Sequence, residues 1–400
     1  MDGTPLVTPL APPFSPRRLI ATLGLALALG YLVVLVGTYL QGEFLTDTRG
    51  RPIANDFVDV YAAGRLALGG SAASAYDWPI HKAAEERAIG HAFADYYGWH
   101  YPPPFLFVAA GLAMLPYLLA ALVWLAATLA AYAATLCAIL GDRTGIFLAL
   151  GFPAAIWNIT AGQNGFLTAS LIGGILVTME RRPALAGVFL GLLTYKPQFG
   201  LLFPLVLIAD RRWLTIAVAA AVAIALAAAS SLVFGIVSWE AFFHWLPITG
   251  HRILGEGRAD FGRLQSLYGL VRASGGGEPL AWSVQAAGSL AAAVGIVWLW
   301  RSRAPFDLKA AALAAAALIA TPYIYMYDLA VLAVAVGFLL RFALERGLSA
   351  AEIIGLSAAS LLILAFPYVK TQVGLAAVLI VLMLIAQRVF SQWQRIPIAA

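Results

Sequence analysis

Long apolar runs recur along this chain, and no soluble fold accommodates them. The first, Leu19 to Leu40, carries no charged residue and matches the ~20 residues a helix needs to cross a bilayer core. Further runs occupy 103–116, 117–140, 144–159, 163–180, 183–195, 198–209, 214–236, 281–300, 307–322, 324–342, 351–367 and 371–389. Composition agrees: 62% of the 400 residues are hydrophobic and 11% charged, whereas soluble domains are roughly half apolar and about a quarter charged. The chain reads as an all-α polytopic membrane protein. This excludes a nucleic-acid module, a secreted disulfide scaffold and an ordinary cytosolic enzyme. Its net charge of +5 reflects loop arginines, and Cys137, alone in an apolar run, offers neither a disulfide nor a metal cluster.

Leu19 to Leu40 is too long for the apolar core of a signal peptide and is read as a retained helix. Arg17 and Arg18 before it put the N-terminus in the cytoplasm by the positive-inside rule. Arg181/Arg182, Arg211/Arg212, Arg301/Arg303, Arg341/Arg346 and Arg388/Arg395 read as cytoplasmic in the same way. Thirteen crossings cannot satisfy all these pairs, so one run must fail to cross. The run 144–159, interrupted by Gly151-Phe152-Pro153, is expected to be that one; a competing solution merges 183–209 into one helix through Pro197. The expected order is a cytoplasmic N-terminus (1–18), a first helix (19–40), an outer catalytic loop with amphipathic helices (41–102) and a bundle with short or broken helices (103–236). A second outer loop (237–280), C-terminal helices (281–389) and a cytoplasmic tail (390–400) complete it.

The scarce acids are placed unevenly. Eight of 20 lie in the first outer loop (Glu43, Asp47, Asp56, Asp59, Asp77, Glu85, Glu86, Asp95) and four in the second (Glu240, Glu256, Asp260, Glu278). A channel or scaffold is not built so, and no repeated or inverted halves favour a transporter.

Six segments could carry chemistry. Asn55 caps an expected helix with Phe57, Val60, Tyr61 and Leu68 on one face and Gly69-Gly70 as its stop. Asp56 in its first turn is either a carboxylate favoured by the helix dipole or a general base within reach of an acceptor hydroxyl. Asp59 and Arg65, on the same segment, are candidate substrate ligands. Tyr101, before Pro102-Pro103-Pro104, is an interfacial anchor or a sugar-stacking ring. Gln163 and Asn164, bracketed by Gly162 and Gly165, either cap the next helix or bind sugar hydroxyls. Lys196 stands in an apolar stretch beside Pro197, where charge is expensive and functional by default; the alternatives are a phosphate contact and a snorkelling side chain. In the second outer loop Arg263 and Gln265 are candidates, while His244 and His251 lack metal-ligand spacing. The last segment, Thr321 to Asp328, offers Tyr327 and Asp328, the acid either capping a helix or lining the same cavity. No nucleotide-binding loop appears.

Taken in order, Asn55-Asp56-Phe57, Tyr61-Ala62-Ala63, Tyr101-Pro102-Pro103, Gly162-Gln163-Asn164, Ala186-Gly187 with Lys196-Pro197, Gln265-Ser266-Leu267, and Pro322 with Tyr327-Asp328-Leu329 resemble glycosyltransferase family 87. Its best-known members are polyprenyl-phosphate-mannose-dependent mannosyltransferases. The resemblance implies a GT-C bundle of about 12 transmembrane helices, with interfacial helices of the first loop over an extracytoplasmic site. It implies transfer of a hexose, mannose in those members, from a polyprenyl-phosphate sugar to a glycolipid or glycan acceptor, with inversion. The acid just after helix one acts as base in the family, which carries to Asp56, and the lysine of the Lys-Pro pair meets the donor phosphate, which carries to Lys196. Relatives have histidine in the turn that here reads Tyr323-Ile324-Tyr325-Met326-Tyr327. A lipid phosphate is already a good leaving group, so no metal or other cofactor is expected. The expected partners are the lipid donor, the acceptor and membrane lipids, with no nucleic acid. The rival reading is a polytopic transporter or lipid flippase using Lys196 and Asp328.

Overall fold

The computed structural model describes residues 15–42, 56–258 and 260–394, and every regular element among them is helical. Asn55, Glu43, Asp47 and Arg395 lie outside the described residues.

Helix α1 (Pro16–Leu40) precedes the long segment to the next apolar run, which carries α2 (Phe57–Leu68) and α3 (Trp78–Ile89). After the proline step come α4 (Leu106–Ala113), α5 (Tyr117–Leu140), α6 (Thr144–Gly151), α7 (Ala154–Ala161) and α8 (Gly165–Thr178). Then α9 (Pro183–Leu192) and α10 (Phe203–Ala209) flank two 3-10 turns around Lys196. The remainder comprises α11 (Trp213–Phe234), α12 (Ile236–Gly250), α13 (Leu267–Ala273), α14 (Glu278–Arg301), α15 (Phe306–Ile319), α16 (Ala330–Arg346), α17 (Ala350–Val369) and α18 (Val373–Gln394).

Among the described residues, seven helices are long and apolar enough to cross a membrane: α1, α5, α11, α14, α16 with its leading turn, α17 and α18. The pair α6 and α7, bent by 63° at the expected Phe152-Pro153 break, makes an eighth if it counts as one span. The remaining runs form α4, α8, α9, α10 and α15, of 7 to 14 residues, too short at ~1.5 Å per residue to cross ~30 Å alone.

Why these helices are short is visible in their packing. Pro197 has no N–H to continue a helix, and Lys196 before it leaves the helical region at φ −137° and ψ 68°. Both ends of 183–209 then return to one place: Thr215 Oγ1 donates to the Pro183 carbonyl at 3.0 Å, and Arg212 donates to the Met179 carbonyl. Gly187 and Gly191 lay α9 parallel against α11, where a Cβ would sit 2.7 Å from the Thr215 carbonyl oxygen and 2.6 Å from Val222 Cβ. Small residues four apart permit such close approach. The segment is a hairpin with Lys196 at its tip, which overturns the merged helix through Pro197.

Two other reversals meet that tip: Gly162-Gln163-Asn164 between α7 and α8, and the turn from Ala320 to Tyr325 between α15 and the Met326–Leu329 turn. Their 14-residue arms α8 and α15 reach ~21 Å. Longer helices such as α5 and α14 continue past this level, so the reversals form the floor of a well. At the opposite end, Arg17 pairs with Asp142, Arg341 with Asp307 and the Ile139 carbonyl, and Arg388 with Glu352. Lys309 there faces Asp210 and Glu180. The centre is filled by α15 and α16, where Ala310 to Ala317 and Ala330 to Leu340 are all buried.

Two outer elements differ from expectation. Helix α2 is buried on every face from Phe57 to Gly64, not amphipathic with a wet side. Helix α4 covers it so closely that a Cβ on Gly64 would lie 2.0 Å from the Ala109 carbonyl oxygen, and Tyr117 packs on Phe57 and Tyr61. The segment expected as a second loop begins with α12, whose Phe242 and Trp245 pack against the segment carrying α2 and α3, Phe242 meeting Tyr76 and Trp245 stacking on Trp78.

Candidate active site

Asp56 occupies the N-cap position of α2, yet its side chain caps nothing. It points across the chain and accepts a hydrogen bond from Gln163 Nε2 at 3.0 Å, while its backbone N–H donates to the Ala161 carbonyl at 2.9 Å. Burial pushes its carboxyl up to about 6; the Gln163 hydrogen bond and the charges of Arg263 and Lys196 hold it from rising further. A carboxylate tuned there is ionised at neutral pH and basic enough to take a proton.

From Gln163 the bonding continues without a gap. Tyr101 OH donates to Gln163 Oε1 at 3.2 Å and accepts from Asn164 Nδ2 at 2.6 Å. Asn164 Oδ1 accepts from Lys196 Nζ at 2.9 Å. Lys196 Nζ pairs with Asp328 Oδ1 at 2.6 Å, and Asp328 Oδ2 accepts the Tyr325 N–H at 3.0 Å. Six residues from five separate stretches of sequence thus form one chain, Asp56–Gln163–Tyr101–Asn164–Lys196–Asp328. Tyr101 is buried in this network, not anchored at a surface, and the Asn164 side chain does not cap α8. Lys196 is 7% exposed, so it does not snorkel; Phe199 and Tyr327 present ring faces to its ammonium at 5.2 and 5.3 Å. Asp328 both caps its turn and holds the lysine.

Every residue of this bonded chain but Asn164 lines a cavity of about 1340 Å³. Asp56, Asp59, Tyr101, Gln163, Lys196, Arg263, Tyr327 and Asp328 all reach it. Asp59 is 3% exposed, and burial beside Asp56 and Glu85 raises its carboxyl well above the usual range. Three expected ligands do not reach it. Asn164 is 1% exposed and absent from the cavity wall, its amide shared between Tyr101 and Lys196. Arg65 is exposed and absent from the cavity wall. Gln265 is buried with its amide committed to backbone: Nε2 donates to the Gly262 and Arg263 carbonyls, and Oε1 accepts from Gly374 N–H at 2.8 Å.

Several groups beyond the singled-out candidates also reach this region. Lys370, Arg258 and Trp78 also line the cavity, and Arg252 and Arg258 stand over the Trp78 ring at 4.5 and 5.7 Å. On α3, fully buried His81 and Glu85 lie one turn apart with Nε2 to Oε1 at 3.6 Å. Burial lowers His81 to about 3 and raises Glu85, against the charge of Lys82 at 3.9 Å. Their i, i+4 spacing was the available signal.

The model of the family described as Glycosyltransferase family 87 matches residues 99–322, more than half of the chain. The match includes Tyr101, Gln163, Asn164, Lys196 and Arg263; Asp56 and Asp328 lie on either side of it. No curated protein and no solved structure matches the chain. The transporter or flippase reading therefore gives way: with its apolar helices and its continuous polar network on one cavity wall, the chain belongs to glycosyltransferase family 87 and is a membrane glycosyltransferase.

Proposed function

We propose that this protein transfers a hexose, mannose in the nearest reading, from a polyprenyl-phosphate sugar to a glycolipid or glycan acceptor, with inversion at the anomeric carbon. In this reading the fold is of the GT-C type. The arginine-bearing end of the bundle is cytoplasmic, and the cavity opens on the extracytoplasmic side of the cell membrane. The observation that carries the proposal is the bonded chain from Asp56 to Asp328, which holds the Asp56 carboxylate in fixed relation to the Lys196 ammonium and its partner Asp328.

Asp56 takes the acceptor hydroxyl proton as that oxygen bonds to the anomeric carbon. The bond from that carbon to the phosphate oxygen breaks on the opposite face, and its electron pair leaves with the polyprenyl phosphate. One displacement inverts the centre. Lys196 and Arg263 stand on the leaving side and stabilise its charge. Tyr101, Gln163 and Asn164 hold base and cation in fixed relation, and Tyr101 and Gln163 offer hydrogen bonds to sugar hydroxyls, with Asp59 and Tyr327 completing the sugar's surroundings. Orientation of two reactants in one cavity supplies as much as ~7–11 kcal/mol of the barrier reduction.

The test is transfer by the purified protein in nanodiscs, given radiolabelled polyprenyl-phosphate mannose or a labelled nucleotide sugar with a crude glycolipid acceptor. Label reaching the acceptor from the lipid donor alone supports the proposal. Transfer from the nucleotide sugar alone contradicts it.

A further inference from the structure

Four cations reach the cavity: Lys196, Arg258, Arg263 and Lys370. Two have their charge engaged. Lys196 is paired with Asp328, and Arg258 stands over Trp78 with Glu256 at 3.9 Å. Arg263 and Lys370 make no ion pair among the described residues. Both are exposed side chains on the cavity wall, and the turns that carry them touch. A Cβ on Gly262 would lie 2.7 Å from the Lys370 carbonyl oxygen. Gln372 Nε2 donates to the Phe261 carbonyl at 2.9 Å, and Gln265 ties the Gly262-Arg263 turn to Gly374 N–H. Asp260, the acid of the same turn, accepts the Gly262 N–H at 2.9 Å and so is held toward its own backbone.

Lys370 is also unusual in its backbone. It ends α17 in the left-handed region, at φ 46° and ψ 42°, where glycine or asparagine is the common choice. Strained positions occupied by a functional side chain gather at binding sites. Pro367 precedes it within α17, at the point where that helix meets the cavity.

We propose that Arg263 and Lys370 form a two-cation clamp for a phosphate monoester or diester, and that its occupant is the phosphate of the lipid donor. Gln265 and Gln372 act as positioning residues that lock the two turns together. This assignment rests on the lipid-phosphate reading above and divides the labour of the cations. The outer clamp captures the phosphate, and Lys196, balanced by Asp328, meets its charge from the floor as it leaves.

The full chain in phosphatidylcholine nanodiscs is titrated with short-chain polyprenyl phosphate and with the matching unphosphorylated polyprenol. Lys370→Gln and Arg263→Gln are each expected to weaken polyprenyl-phosphate binding by about tenfold or more, the loss of a charge-assisted contact. Polyprenol binding stays within twofold of the unaltered protein, which shows that the variants are folded, and Lys370→Arg retains phosphate binding. Phosphatidylglycerol in the nanodisc is expected not to compete. Glutamine variants that bind polyprenyl phosphate within twofold of the unaltered protein overturn the clamp, as does equal competition by phosphatidylglycerol, which assigns the cations to ordinary headgroups. Failure of the unaltered protein to bind polyprenyl phosphate at all overturns the donor reading instead.

Discussion

Asp56 and Gln163, 107 residues apart, are joined by a hydrogen bond of 3.0 Å from the amide to the carboxylate. This bond connects the first outer loop to the turn between α7 and α8, and it favours the ionised form of Asp56 against burial. It also sets a pH dependence. Burial raises the Asp56 carboxyl to about 6, so its inactive protonated form persists to higher pH than for an ordinary carboxyl. Transfer at limiting donor is expected to be flat above this value and to fall about tenfold per pH unit below it. Gln163→Leu removes a contact that favours the charged form, so the midpoint moves upward. A pH–rate profile of both proteins checks this; a midpoint that stays in place in the variant counts against it.

The Lys196–Asp328 pair makes opposite predictions for single and double substitution. Lys196→Met leaves a buried carboxylate without its partner and is expected to lower stability by about 3–5 kcal/mol. Lys196→Met combined with Asp328→Leu removes both charges and recovers most of that loss, while transfer stays low in both variants. Unfolding midpoints in detergent, read beside activity, separate these cases. A single variant as stable as the unaltered protein contradicts the pairing.

Gly165 begins α8 beside the network, and a Cβ there would lie 2.1 Å from the Tyr327 carbonyl oxygen and 2.7 Å from Asn158 Oδ1. Gly165→Ala must part α8 from the Tyr327 turn, at a cost of about 1–3 kcal/mol. Because a displacement of about 1 Å can cost ~100-fold in rate, activity is expected to fall far more than stability. Equal transfer by Gly165→Ala and the unaltered protein would show that the floor tolerates movement.

How much of this was legible in the sequence depended on whether a residue's meaning was local. Lys196 alone in an apolar run, beside a proline, declared itself, as did Gln163-Asn164 between glycines and Asp56 behind the first helix. The break at Gly151-Phe152-Pro153 was readable for the same reason. Crossing number was not, because apolar runs of 12 to 18 residues look alike whether they span or turn back. The parallel seating of α9 on α11, through Gly187 and Gly191, decides it for 183–209. Lys370 resembled any lysine at a helix end, since its place on the cavity wall depends on contacts such as Gln372 with Phe261, 111 residues away. Gln265 looked like a ligand because its amide is buried and polar, but three backbone groups use it. His81 and Glu85 did not stand out in the sequence, since the full burial of both depends on the packing of α3.

Asp56 as the base is tested most directly by Asp56→Asn in nanodiscs supplied with labelled polyprenyl-phosphate sugar and acceptor, with polyprenyl-phosphate binding measured in the same preparation. The amide keeps the side chain's shape and cannot take the proton. Binding within about threefold of the unaltered protein, with transfer reduced by ~10²–10⁴-fold, is the expected result. Transfer at the unaltered rate would contradict the mechanism, whatever the binding.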